Sequence, residues 1–197
     1  MRWKLTFPTV VAAFFLAALP AHSQVAPAAS RTQASLSAGG GLSWYSLDYG
    51  MSRKMLGIDA WIDYTLPGMP HRLQGLGIEA EGRDINYDRP SSLSRMRQDT
   101  LLGGPIYSWP HFHRFKPYAK YLIGIGSIDF PSVGAYSHDT RTVFAPGVGV
   151  DYQFTQHIKA RVDYEYQFWH AIFGPNDLNP QGVTFGVLYT FGGRSPY

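Results

Sequence analysis

The chain has 197 residues, no cysteine, 5 Trp, 13 Tyr and 12 Phe, and a formal charge of +3 with only 16% charged residues. So few charges exclude a disordered solvating chain, and so many aromatics exclude a linker or coiled coil. The missing cysteines exclude a disulfide scaffold, a cysteine nucleophile and a thiolate metal centre.

Arg2 and Lys4 open the chain, sixteen uncharged residues follow from Leu5 to Pro20, and Ala21-His22-Ser23 supplies small residues ahead of Gln24. This layout predicts a secretory signal peptide over 1–23, with a weaker second cleavage site at Ala26-Pro27-Ala28. The apolar run is shorter than the ~20 residues of a membrane-spanning helix. Removing Arg2 and Lys4 lowers the charge to +1, and the electrostatic case for nucleic acid goes with it. A short N-terminal segment, 24–32, is expected before the folded domain, 33–191, with a tail over 192–197.

The mature chain has a hydrophobic period of two, the signature of strands. In Gln33–Tyr45, Leu36, Ala38, Leu42 and Trp44 alternate with serines and glycines. Leu56–Tyr64 sets Leu56, Ile58, Ala60, Ile62 and Tyr64 against Gly57, Asp59, Trp61 and Asp63, and Leu76–Arg83 sets Leu76, Ile78 and Ala80 against Gly77, Glu79, Glu81 and Arg83. Thr100–Trp109 reads as a strand without an assignable face. Tyr118–Ile128 and Phe144–Tyr152 alternate again, and Ile158–Phe168 places Ile158, Ala160, Val162, Tyr164, Tyr166 and Phe168 opposite Lys159, Arg161, Asp163, Glu165 and Gln167. Val183–Phe191 completes a set of eight, each near the 9–11 residues of a tilted membrane-spanning strand.

Connections rich in charge and turn residues are expected at Asn86–Met96, Asp129–Arg141 and His170–Gln181, with shorter ones at Pro110–Lys116 and Gln153–His157 and a longer link at Thr65–Leu73. Long loops alternating with short turns are the habit of an outer-membrane barrel. The two faces decide between this and a soluble barrel. The polar face carries nine glycines (39, 41, 57, 77, 124, 126, 147, 149 and 186) and a mixed set of charges: Asp59, Asp63, Glu79, Glu81, Arg83, Lys120, Asp151, Lys159, Arg161, Asp163 and Glu165. The assigned apolar face carries no charge, as hydrocarbon would enforce. Small residues and paired charges suit the cramped lumen of an eight-stranded barrel. Trp44, Tyr64, Trp109, Tyr152, Phe168, Trp169 and Phe191 stand at strand ends, where interfacial girdles sit. The expected fold is all-β: a transmembrane, antiparallel, up-and-down β-barrel of eight strands.

The signal-peptide layout, the eight strands and the closing segment Val183–Phe191 resemble the small OmpA-like outer-membrane β-barrels of Gram-negative bacteria. The resemblance implies a porin-like barrel in the cell outer membrane, surrounded by its lipids and delivered by the barrel-assembly machinery. Two-domain members of that family add a peptidoglycan-binding domain, for which the six residues after Phe191 leave no room. Family barrels end on an aromatic that the machinery reads, a role open here to Phe191 or Tyr197.

The lumenal charges are read as a salt-bridged plug in preference to an ion path, because polar groups shut from water must be paired. His111 and His113 form a metal-like pair without a nearby acid, so a solvated turn is the expectation. Ser137-His138-Asp139 names triad members, but adjacent residues do not fold onto one another as nucleophile, base and orienter. His170 stands at the rim where outer-membrane lipases and deacylases carry a histidine, with no serine near it in sequence. The expectation is therefore a monomeric, non-enzymatic barrel without cofactor or metal, binding an unidentified external ligand through its loops. A narrow channel and a lipid-modifying enzyme are the alternatives.

Overall fold

The computed structural model describes residues 34–48, 54–87, 96–109, 114–131, 136–172 and 176–191. Its strands are β1 (Ser35–Ser46), β2 (Lys54–Thr65), β3 (Leu76–Tyr87), β4 (Arg97–Ser108), β5 (Phe115–Pro131), β6 (Tyr136–Gln153), β7 (Ile158–Tyr166), β8 (Phe168–Ile172), β9 (Asn176–Leu178) and β10 (Gln181–Phe191). From β1 to β7 each strand pairs antiparallel with the next, and β10 pairs with both β7 and β1, closing the sheet. β7 and β8 keep one register against β6 across Gln167, and β9 continues the register of β10 at Leu178 opposite Trp169 before it shifts towards Ile172. The ten segments thus make eight staves.

Register fixes the barrel's shape. Stepping across the ladders from Tyr45 leads through Gly182, Glu165, Gly147, Lys120, Ile106, Gly77 and Thr65 to Ser35, ten residues lower on the same strand. A stagger of this size over eight staves tilts the strands by about 40°. The lumen of such a barrel is only wide enough to be filled by side chains.

Burial alternates with the pleat, and the alternation is inverted relative to a soluble protein. Leu42, Ile58, Leu101, Ile125, Val148, Val162, Phe185 and Val187 are exposed on the outside, while Asp59, Glu79, Arg83, Lys120, Arg161 and Glu165 are buried inside. Exposed apolar side chains on every stave form a continuous girdle, the surface a bilayer solvates. The face of β4 that the sequence left open is now fixed: Thr100, Leu102 and Ile106 point in, and Leu101 points out.

Large inward side chains lie over inward glycines. A Cβ on Gly39 or Gly186 would stand 2.7 and 2.4 Å from the ring of Trp61, and one on Gly126 would stand 2.2 Å from Trp169. These separations are far below contact distance, so the glycines create the space the rings fill.

Two connections expected as loops are mostly strand. β5 reaches Pro131 and β6 begins at Tyr136, inside the expected loop Asp129–Arg141, while β8 and β9 occupy much of His170–Gln181. Beyond the girdle the outer face turns polar, so the period-two apolar signal stops while the hydrogen-bonded ladder continues.

Val162 sits on β7 in the girdle, outward-facing and 45% exposed. Val162→Arg should destabilise the barrel by about 2–4 kcal/mol in lipid vesicles, because the guanidinium meets hydrocarbon. Urea unfolding monitored by tryptophan fluorescence measures the change.

Candidate functional site: the charged lumen and the polar collar

Period two delivers acids and bases from five staves to one level of the lumen. Arg83 on β3 holds Asp59 Oδ2 on β2 at 3.0 Å, Glu81 Oε1 at 2.6 Å and Glu165 Oε1 on β7 at 2.7 Å. Lys120 on β5 reaches Glu79 and Glu81 at 2.9 and 2.5 Å, and Asp163 and Glu165 at 3.0 and 3.3 Å. Arg161 on β7 takes Asp151, Glu79 and Asp63 at 2.8, 2.7 and 2.7 Å. Shared carboxylates link the three cations into one network. Tyr118 donates to Asp163 at 2.5 Å, and Tyr45 donates to Glu165 at 3.1 Å. The Arg161 guanidinium lies 4.5 Å from the centre of the Tyr118 ring, in cation–π range.

Seven carboxylates therefore meet three cations that each neutralise several acids at once, and the buried Lys116 stands opposite Asp151 on the neighbouring strand. Lys159, placed in this group by its strand phase, is half-buried and makes no ion pair among the described residues. It lies at the turn end of β7, one pair short of the network level. The other ten lumenal charges all belong to the network.

Towards the loop end the lumen changes character. Tyr45, Met55, Ile85, Met96, Leu102, Leu122, Ile128, Val143 and Trp169 belong to a buried apolar cluster. Trp169 corrects an expectation: it is fully buried in this cluster, not at the lipid interface. The interruption at Gln167 puts Phe168 outside and Trp169 inside, where its indole donates to Gln167 Oε1 at 2.9 Å. Gln98 donates to the same oxygen at 2.8 Å, and Gln167 donates to Glu165 at 2.9 Å, joining the apolar cluster to the ionic one. Trp44, Tyr64, Trp109, Phe168 and Phe191 are exposed on the outer surface, and Tyr152 is half-buried against Phe115 and Phe154. Tyr197, His111 and His113 lie outside the described residues.

Above the girdle a polar collar crosses β3 to β6 on the outer face. Asp84, Asp99, Ser127 and Thr140 face one another in successive ladder pairs, and Arg97, Asp129 and His138 form a second row above them. Arg97 bonds both Asp84 at 3.0 Å and Asp99 at 2.9 Å. His138 Nδ1 lies 2.6 Å from Asp129 Oδ1, while Nε2 faces Thr140 Oγ1 at 3.2 Å and Ser127 Oγ at 3.5 Å. At the rim, His170 lies 3.5 Å from Asp177. The sequence reading set His138 beside its chain neighbours Ser137 and Asp139. Its ring is in fact served by the adjacent strand, where Ser127-x-Asp129 puts both side chains on the outer face. That pairing needs the β5–β6 register, which no local motif supplies.

A family model described as outer membrane protein beta-barrel domain matches residues 11–191. Neisserial surface protein A is similar in structure, with a TM-score of 0.62 and 15% identity over 82% of this chain and 99% of its own. The N-terminal β-barrel domain of Pseudomonas aeruginosa OprF gives 0.57 and 15%, over 80% and 97%. Ail, the attachment invasion locus protein of Yersinia pestis, gives 0.53 and 16%, over 80% and 97%. No curated protein matches the chain by sequence.

Two predictions arise from these charges. Lys120→Met leaves four buried carboxylates without their shared cation and should cost about 3–5 kcal/mol, and adding Glu81→Gln should recover part of that loss. Vesicle unfolding of both variants gives the coupling. In the collar, burial and the facing Asp84 push the Asp99 carboxyl up to about 6, against the pull of Arg97. A carboxyl that holds its proton more tightly in the folded state favours folding below its unfolded value and opposes it above 6. Asp99→Asn should therefore stabilise the barrel at pH 8, by under about 1 kcal/mol given its partial exposure, and do little at pH 4.

Proposed function

Because the chain belongs to the outer membrane protein beta-barrel domain family, we propose that it is a sealed outer-membrane scaffold whose function lies in the surface it presents outside the cell. The observation that carries this reading is the double closure of the lumen. An ion must displace Arg83, Lys120 and Arg161 from seven carboxylates and then pass a fully buried apolar cluster. Both steps are costly: the first breaks a buried network, and the second strips an ion of its partners.

The surface left for interaction is the loop end. β5 and β6 have 17 and 18 residues, well beyond what the girdle requires, and they lift a hairpin clear of the lipid. Ail, which shares the fold, is named for attachment and invasion. In this reading the lumen catalyses nothing and holds no cofactor. The barrel is a monomer with lipids around its girdle, an assembly machinery that reads its terminal aromatic, and an external ligand at its tips. Closure supports the monomer, since no sheet edge in the girdle remains to be paired.

Purified barrel in a planar bilayer should give no stepwise conductance above the lipid baseline. Lys120→Met should open or unfold the lumen before any loop change does. Regular single-channel steps from the intact barrel would overturn the sealed scaffold in favour of a narrow channel.

A further inference from the structure

The collar contains an arrangement that lipid anchoring does not require. Ser127 and Asp129 are alternate residues of β5 and so share its outer face, with Thr140 and His138 directly opposite on β6. His138 is gripped at Nδ1 by Asp129 at 2.6 Å, which orients the ring and leaves Nε2 facing the hydroxyls of Thr140 at 3.2 Å and Ser127 at 3.5 Å. This is the order of contacts of an acid, a base and a nucleophile, with a base–nucleophile distance typical of a site without substrate. His138 is well exposed and Asp129 is mostly covered, so the base is reachable while its orienting partner is held.

We propose that Ser127, His138 and Asp129 form a hydrolytic site for acyl esters at the outer lipid boundary. Height on the barrel identifies the substrate class. Ile125, one pleat below Ser127 on the same face, is 58% exposed, with Leu101 across the ladder at 56%. An acyl chain lying along this girdle brings its ester carbonyl up to the polar boundary, level with Ser127. Ser127 Oγ attacks that carbonyl carbon as His138 Nε2 takes the hydroxyl proton. The ester C–O bond then breaks, His138 returns the proton to the departing alkoxide, and an acyl-serine remains. Water, deprotonated by the same nitrogen, adds to the acyl carbon, the bond from that carbon to Ser127 Oγ breaks as His138 returns the proton to Oγ, and the fatty acid leaves. Asp129 is a positioning residue, fixing the tautomer that leaves Nε2 free. Arg97, across the ladder from Asp129, supplies positive charge at the collar. The inference is separate from the surface-interaction reading, and each can fail without the other.

The test uses full-length barrel refolded into phosphatidylcholine vesicles, with folding checked by heat-modifiable gel mobility. An alkyl fluorophosphonate should label Ser127, as mapped by mass spectrometry, and 4-nitrophenyl decanoate should be hydrolysed. Ser127→Ala and His138→Ala should each lower hydrolysis by about 100-fold or more. His170→Ala should leave it within about threefold, since that histidine faces Asp177 at the rim. Asp129→Asn should depress the rate and move its pH profile, which a purely structural collar residue would not do. Absence of labelling on folded wild-type barrel, labelling at Thr140 instead, or hydrolysis unchanged by Ser127→Ala would each overturn the assignment.

Discussion

Backbone hydrogen bonding in hydrocarbon is the constraint from which the rest of this structure follows. A strand in lipid cannot leave its amides and carbonyls unpaired, so the sheet must close on itself. Pairing of β10 with β1 achieves this, and the ten-residue stagger over eight staves sets a lumen that side chains can fill. Closure also turns the usual rule of burial inside out. Residues that face solvent in a soluble protein face hydrocarbon here, and the interior must take whatever the other face of each strand supplies.

That interior supply is ionic because the sequence alternates strictly. Glu79, Glu81 and Arg83 on β3 and Arg161, Asp163 and Glu165 on β7 occupy successive inward positions, with Asp59 on β2 beside them, and none could move to the outer face without meeting lipid. Burying so many charges is not a way to gain stability, since an apolar filling of equal volume commonly does as well or better. What the ionic filling gives is register. A one-residue slip of β7 would bring Val162 and Tyr164 to the lumen and send Arg161 and Asp163 into the bilayer. The apolar cluster at the loop end fills the lumen beyond the charges and is tied to them through Gln167.

Much of this was legible in the sequence, for a physical reason. Period-two alternation is enforced twice in a membrane barrel, by lipid outside and by crowding inside, so strands such as Leu56–Tyr64 and Ile158–Phe168 read cleanly. The legible portion ends where the enforcement ends. Above the girdle both faces may be polar, and there β5, β6, β8 and β9 continue as strands that looked like loops. Trp169 was misplaced because an aromatic at a strand end resembles a girdle residue until the alternation across Gln167 is seen to continue inward. Lys159 has the phase of the network but stands too near the turn end to join it. The collar was invisible for another reason: Ser127, Asp129 and His138 meet only through a cross-strand register that sequence alternation does not encode.

The central claim is that the girdle faces lipid while the charged face is sealed within. The chain has no cysteine, so single cysteines can be introduced along β7 and β10 and labelled with an environment-sensitive fluorophore. In vesicles of brominated lipid, labels at Val162, Tyr164, Phe185 and Val187 should be strongly quenched, while labels at the intervening Asp163 and Thr184 should not. Quenching that alternates with the opposite phase, or that does not alternate at all, would contradict the account.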